Sequence, residues 1–408
     1  MSPVKRNIYA FVGHRYFRNS VFHYVLLVPL YISSGLSVVD IALIEATYWT
    51  AKSASDIPTG YLADLFGPRI SVIVGSCLVL VGFAMIATGQ VWLEFAFGVA
   101  VLAVGHAFCS GADSAMIANA LEREGAADAY PRAETLGWAA RNLALAIACL
   151  LSYGLVQVIS LRDIVLLSAA FTIPAILLPL LVSAGPRTIQ EAGLRTRVVS
   201  LFQGLRLSAH RAAGPVAIFV FLLLVDFLGN WLFQFVMSVQ GIEPRWFGAA
   251  YAVVLGVSTG ALWLGRLLES RSFSASVTIL LLLAVAYYLS MALGVSLDGV
   301  PGLVLIGFGL TCYGILRGLY FPIMRTEISR RSQAEVRSTV HSAATFLGGA
   351  VLAAINPLVG VAIELTSLPL VLFGLGLVTG LLLLVFLSRY YLIAVARALQ
   401  QRDGQRRL

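Results

Sequence analysis

The sequence predicts an all-α membrane protein of twelve transmembrane helices arranged as two pseudo-symmetric six-helix bundles. Three observations predict it. The 408-residue chain is 59% hydrophobic and only 12% charged, with mean hydropathy +0.89, which is too apolar for a soluble domain. Apolar runs of about 20 residues, the length that crosses a bilayer, recur from end to end. Lys and Arg crowd into alternate connections between those runs.

In order, the runs cover residues 18–36, 40–64, 70–89, 93–120, 132–158 and 163–184 in the first half. The second half holds 212–238, 246–268, 274–295, 301–326, 338–363 and 367–388. The first run follows a basic segment, but it is long and lacks a small-residue cleavage site, so it reads as a retained helix and not a signal peptide. The second run leaves through Gly67-Pro68, where glycine permits a left-handed backbone and proline stops the helix. Residues 1–184 thus form one bundle and 212–390 the other. Between them, residues 185–211 are the longest polar stretch. Leu201, Phe202 and Leu205 alternate there with Arg195, Arg197 and Arg206, as in an amphipathic helix lying on the membrane surface. Residues 391–408 form a basic tail.

The net charge of +8 does not indicate nucleic acid. One set of loops carries Lys5, Arg6, Arg69, Arg123, Arg187, Arg271, Arg330 and the tail, whereas the other shows only Arg162 and Arg245. This asymmetry places both termini in the cytoplasm of a cell whose inner membrane holds the chain, with the tail touching anionic lipid. Cys77, Cys109, Cys149 and Cys312 are scattered within apolar runs and read as small packing residues. Neither a P-loop, a metal-ligand cluster, a nucleophile elbow nor a dinucleotide fingerprint is found, so neither cofactor nor metal nor enzymatic activity is expected.

The densest motif lies between the second and third runs. Gly60-Tyr-Leu-Ala-Asp64-Leu-Phe-Gly67-Pro-Arg69 sets opposite charges at the two ends of a tight reversal. It resembles the signature of the major facilitator superfamily between its second and third helices. Leu65 and Pro68 stand where the family often has basic residues. The motif has an echo, Gly265-Arg-Leu-Leu-Glu269, in which Glu269 follows Asp64 by the same interval that separates Arg337 from Arg132. Ser110-Gly-Ala-Asp-Ser-Ala115, Glu45-Ala-Thr and Arg337-Ser-Thr-Val-His-Ser342 are similar to a bacterial branch of the family that includes many multidrug and metabolite exporters. The resemblance implies two rocking bundles with a central site, and a gate formed by Gly60, Asp64, Gly67, Arg69 and Arg337. Two features of proton–drug antiporters are missing: a membrane arginine near Val104–Phe108, and a G-x-x-x-G-P run in the fifth helix.

Ionisable groups inside a bilayer are costly and need a partner or water. Lys52 and Asp56 are spaced to pair on one helix face. Asp113 and Arg141 lie at matched depth on consecutive helices and are expected to pair across them. Asp226 and Arg317 have no partner that spacing identifies. Asp226, Asn230 and Gln234 make a polar stripe that reads as a cavity wall or as interhelix hydrogen bonding. An isolated carboxyl in a low dielectric is a natural proton carrier, which makes Asp226 the first candidate and Asp113 the second. Glu45, His106 and His341 are further membrane groups. These charges bear mixed signs, so they do not choose between cationic and anionic ligands. The expectation is a monomeric secondary transporter that exports a small amphipathic molecule against protons. The alternatives are import or facilitated diffusion of an organic anion, with Arg141, Arg317 and Lys52 binding it, and a non-transporting sensor or assembly factor on the same fold.

Overall fold

The computed structural model describes residues 2–183, 212–268, 272–332 and 337–406, with Thr196, Val199 and Gln203 between them. The segment 185–211, read as an amphipathic linker, falls almost wholly outside the described residues, as does part of the Gly265–Arg271 echo.

Helices account for nearly all of what is described. The first half contains α1 (Pro3–Arg18), α2 (Leu27–Ser33), α3 (Val38–Phe66), α4 (Pro68–Thr88), α5 (Trp92–Cys109), α6 (Ala112–Arg123), α7 (Tyr130–Leu155) and α8 (Leu161–Leu177). The second contains α9 (Ala213–Val239), α10 (Arg245–Leu268), α11 (Phe273–Ser296), α12 (Gly299–Arg331), α13 (Arg337–Leu365) and α14 (Leu368–Arg406). Taking α1 with α2 and α5 with α6 as interrupted rods, the described helices form twelve rods. Among the described residues, nine helical segments are long and apolar enough to cross a membrane.

Local chemistry sets the breaks. Ser37 caps α3: its hydroxyl accepts from the Asp40 amide while Asp40 accepts from the Ser37 amide. Gly67, at φ +95°, ends α3, and Pro68 starts α4. Gly111, at φ +76°, divides α5 from α6 inside what reads as one continuous run in the sequence. The first rod also differs from expectation. It begins at Pro3, not near residue 18, because α1 packs its polar side chains against α7 and α8 instead of leaving them in water. At the other end, α14 continues unbroken to Arg406 through the residues read as a tail.

The halves meet along α3 with α13, α7 with α10, and α2 with α9. We call the side bearing the N-terminus the terminal side. Away from it the halves are in close contact. A Cβ on Gly360 would stand 2.5 Å from that of Ala42, and Gly248 packs directly on the Cys149 carbonyl and Ser152. Nearer the middle, Gly349 abuts Ser53 of α3, the Trp49 and Phe227 rings meet at 4.3 Å, and those of Tyr24 and Tyr251 at 5.3 Å.

Candidate functional site: a cationic cavity open to one side

Between the halves, toward the terminal side, lies a cavity of about 770 Å³. Its walls come from the terminal portions of α1, α3, α5–α6 and α7 in one half and of α12 and α13 in the other. With the opposite side closed by the contacts above, the cavity faces one way.

Its charge is lopsided. Arg15, Arg18, Lys52, Arg141 and Arg325 line it, against the carboxylates Asp56 and Asp113. The expected groups Lys52, Asp56, Asp113, Arg141 and Gly60 are therefore brought together, with one of the two expected pairs formed and the other not. Lys52 and Asp56 do pair, Nζ lying 3.0 Å from each carboxylate oxygen. Asp113 does not pair with Arg141. Its Oδ2 accepts from Arg15 Nε at 3.0 Å and has Arg18 Nη2 at 3.6 Å. The reason is α1: reading residues 3–18 as a loop left Arg15 and Arg18 outside the membrane, whereas the helix carries both to the depth of Asp113. Arg15 also donates to Glu134 at 2.8 Å and Ser114 at 2.9 Å, and it crosses α7 over Gly137, where a Cβ would sit 2.9 Å from Arg15 Cδ.

Displaced from Asp113, Arg141 stacks over the Trp138 ring, 4.9 Å from its centroid. Arg325, on the facing half, stacks over Phe321 at 4.9 Å. Both are exposed to the cavity, and neither has a carboxylate within ion-pair reach among the described residues. Arg325 was not singled out by sequence reasoning. Its neighbour Phe321 is one turn away, an aromatic–arginine spacing that carries the signal in retrospect.

Asp226, Asn230 and Gln234 do not line the cavity in this conformation. Asp226 is neither isolated nor unpartnered: Arg317 Nη1 lies 3.3 Å from its Oδ1, while Tyr313 and Tyr320 donate to its two oxygens at 3.0 Å each. Gln234 accepts from the Val28 amide at 3.3 Å across the halves, and Asn230 Oδ1 is buried with no partner among the described residues. His106 contacts the Tyr48 hydroxyl at 2.9 Å, and His341 contacts Ser329 at 2.8 Å. Of the gate residues, Arg69 donates to the Leu180 carbonyl of its own half, and Arg337 begins α13 in the other. Among the described residues no His, Cys, Asp and Glu cluster suits a metal.

The family model of the Major Facilitator Superfamily matches residues 16–357, most of the chain. The chain belongs to the Major Facilitator Superfamily. It is thereby a multi-pass membrane protein of a transporter family. Comparison with curated proteins gave no match. Among solved structures, the superfamily chain is similar to the nucleoside transporter NupG, with TM-score 0.78, 12% identity, and coverage of 96% of this chain and 99% of that one. It is also similar to a POT family transporter in complex with 5-aminolevulinic acid (TM-score 0.73, 14% identity, 94% and 96% covered). A third is a bacterial homologue of the human lysosomal transporter Spinster in an inward-facing, occupied conformation (TM-score 0.65, 14% identity, 97% of each chain). At these identities the likeness concerns the fold alone.

Proposed function

We propose that this chain is a secondary active transporter of an amphipathic organic anion, working by alternating access. Arg141 and Arg325 carry the reading. They stand on opposite halves of one cavity, exposed, without a carboxylate in ion-pair reach among the described residues, and each is stacked on an aromatic ring. A guanidinium fork with free donors suits a carboxylate, sulfonate or phosphate. Trp138 and Phe321, 47% and 37% exposed, offer apolar surface for the rest of such a molecule. Five cations against two carboxylates favour an anion over the amphipathic cation that mixed membrane charges left open.

An anion held by both arginines would draw the halves together on the terminal side. The reversal at Gly60, Asp64, Gly67 and Arg69, facing the α13 start at Arg337, would then close that side. The loop charges support termini in the cytoplasm of an inner membrane, so the cavity as seen would load from the cytoplasm. Export, driven by protons and by a single chain, is the direction we propose; it rests on the resemblance to the exporter branch. No nucleic acid partner is invoked, and the lipid bilayer is the only environment required.

The test uses proteoliposomes with naphthalenesulfonate and phenyl phosphate as anions and ethidium as a cation. Anion uptake should exceed cation uptake, and Arg141→Gln or Arg325→Gln should lower it about tenfold or more, the loss of one charge-assisted hydrogen bond. Cation uptake indifferent to both arginines would overturn the anion reading. Transport of none of the probes by any variant would favour a sensor or assembly factor on this fold.

A further inference from the structure

The charged groups that face the bundle interior are mostly engaged. Asp113 has Arg15 and Arg18, Asp226 has Arg317, Asp56 has Lys52, and Glu327 has Arg331. Glu45 is different: it has neither hydrogen bond nor ion pair among the described residues.

Its position follows from helix geometry. On α3, residues 45, 52 and 56 fall within one narrow stripe at about 100° per residue. Lys52 and Asp56 line the cavity, so Glu45 shares their inward face, about 10 Å farther from the terminal side. The lipid-facing residues of α3 lie on the other flank, where Ala54, Pro58 and Leu65 are exposed. Glu45 does not line the cavity. One turn nearer the cavity, Tyr48 is held by His106 and Trp49 packs on Phe227, which together close the floor beneath it.

We propose that Glu45 is the proton-carrying group that couples proton binding to closure of the non-terminal side. The halves close over it where Ala42 meets Gly360. Glu45 is half-buried there, and an unpaired carboxylate that gives up its water on closure bears a cost that the neutral acid does not. Closure and protonation therefore favour each other, and the coupling is reciprocal. When this side opens, Glu45 meets the solution beyond it and releases or takes up its proton.

Among the described residues no neighbouring cation offsets this. On α3 itself Asp40 is a cap, and Lys52 is engaged by Asp56. From α5, His106 faces Tyr48 and Glu94 caps its own helix end. From α13, His341 lines the cavity and Glu364 lies near the far helix end, while α4 carries Arg69 at its terminal-side start, bonded to the Leu180 carbonyl, and the exposed Cys77. Tyr31 of α2 is buried, and its hydroxyl has no hydrogen-bond partner among the described residues.

The inference rests on alternating access but not on the substrate, and the experiment separates the two. Nitroxide labels on Glu122→Cys and Arg330→Cys, placed in a background with Cys77, Cys109, Cys149 and Cys312 replaced, report the terminal-side spacing of the halves without any ligand. With Glu45 present, raising the pH should move population from the wide to the narrow spacing. Glu45→Gln, a neutral isostere, should hold the wide spacing at every pH, and Glu45→Asp should restore the shift. An unchanged pH response in Glu45→Gln, or no response in its parent, would overturn the proposal. Proteoliposomes give the second arm, with naphthalenesulfonate chosen because it stays ionised and carries no proton by itself. Exchange of the anion should persist in Glu45→Gln while anion-linked proton flux is lost. Equal proton flux in both proteins would also overturn the role of Glu45 while leaving anion transport standing.

Discussion

Asp226 and Arg317 show how a buried pair can be strong in geometry without indicating strength in energy. The carboxylate is 4% exposed and collects a guanidinium and two tyrosine hydroxyls from α12. Desolvation offsets much of that attraction, but removing one partner strands the other. Asp226→Asn or Arg317→Gln alone should therefore destabilise the protein by about 3–5 kcal/mol, and the double replacement by much less. Unfolding in detergent, followed by denaturant titration, measures this; equal losses for the single and double variants would contradict it. The same residues mark what could be read beforehand. Lys52–Asp56 was legible because both groups sit on one helix, where spacing alone sets distance. Asp226–Arg317 spans two helices far apart in sequence. Asp113 went to Arg15 because depth alone does not rank competing partners.

At the scale of helices, small residues let the two halves close on the non-terminal side. Gly248 of α10 lies against the Cys149 carbonyl and Ser152 of α7, and Gly360 of α13 against Ala42 of α3. A larger side chain at either must push the helices apart. Gly248→Val and Gly360→Val should shift the spacing between labels on residues 122 and 330 toward the narrow population by opening the far side. Gly256→Val and Gly260→Val, on α10 itself but with nothing within 4 Å of an added Cβ, should leave it unchanged. A shift in the controls would mean that helix propensity, not the contact, governs the response. The Gly67-Pro68 pair placed the tight turn, and hydropathy placed the helices. It did not show the break at Gly111 or the inward course of α1, because a polar helix buried against its neighbours has the same composition as an exposed loop.

For the molecule as a whole, the two halves act as one device only if the cavity is reachable from one side at a time. Hydropathy and the repeated motif made the two-bundle architecture legible, but not which residues face inward, since that depends on how twelve rods rotate against each other. Thr345 lines the cavity and is exposed on the α13 wall. In a background with the four native cysteines replaced, Thr345→Cys in oriented vesicles should react with a membrane-impermeant maleimide added on the terminal side and resist it from the other. Adding Gly248→Val should lower the first rate and raise the second, because opening one side requires the cavity to close on the other. A rise from the far side with no fall from the terminal side would describe a leak through a loosened bundle. It would remove alternating access as the account of how an anion crosses, since Arg141 and Arg325 would then line a pore open at both ends.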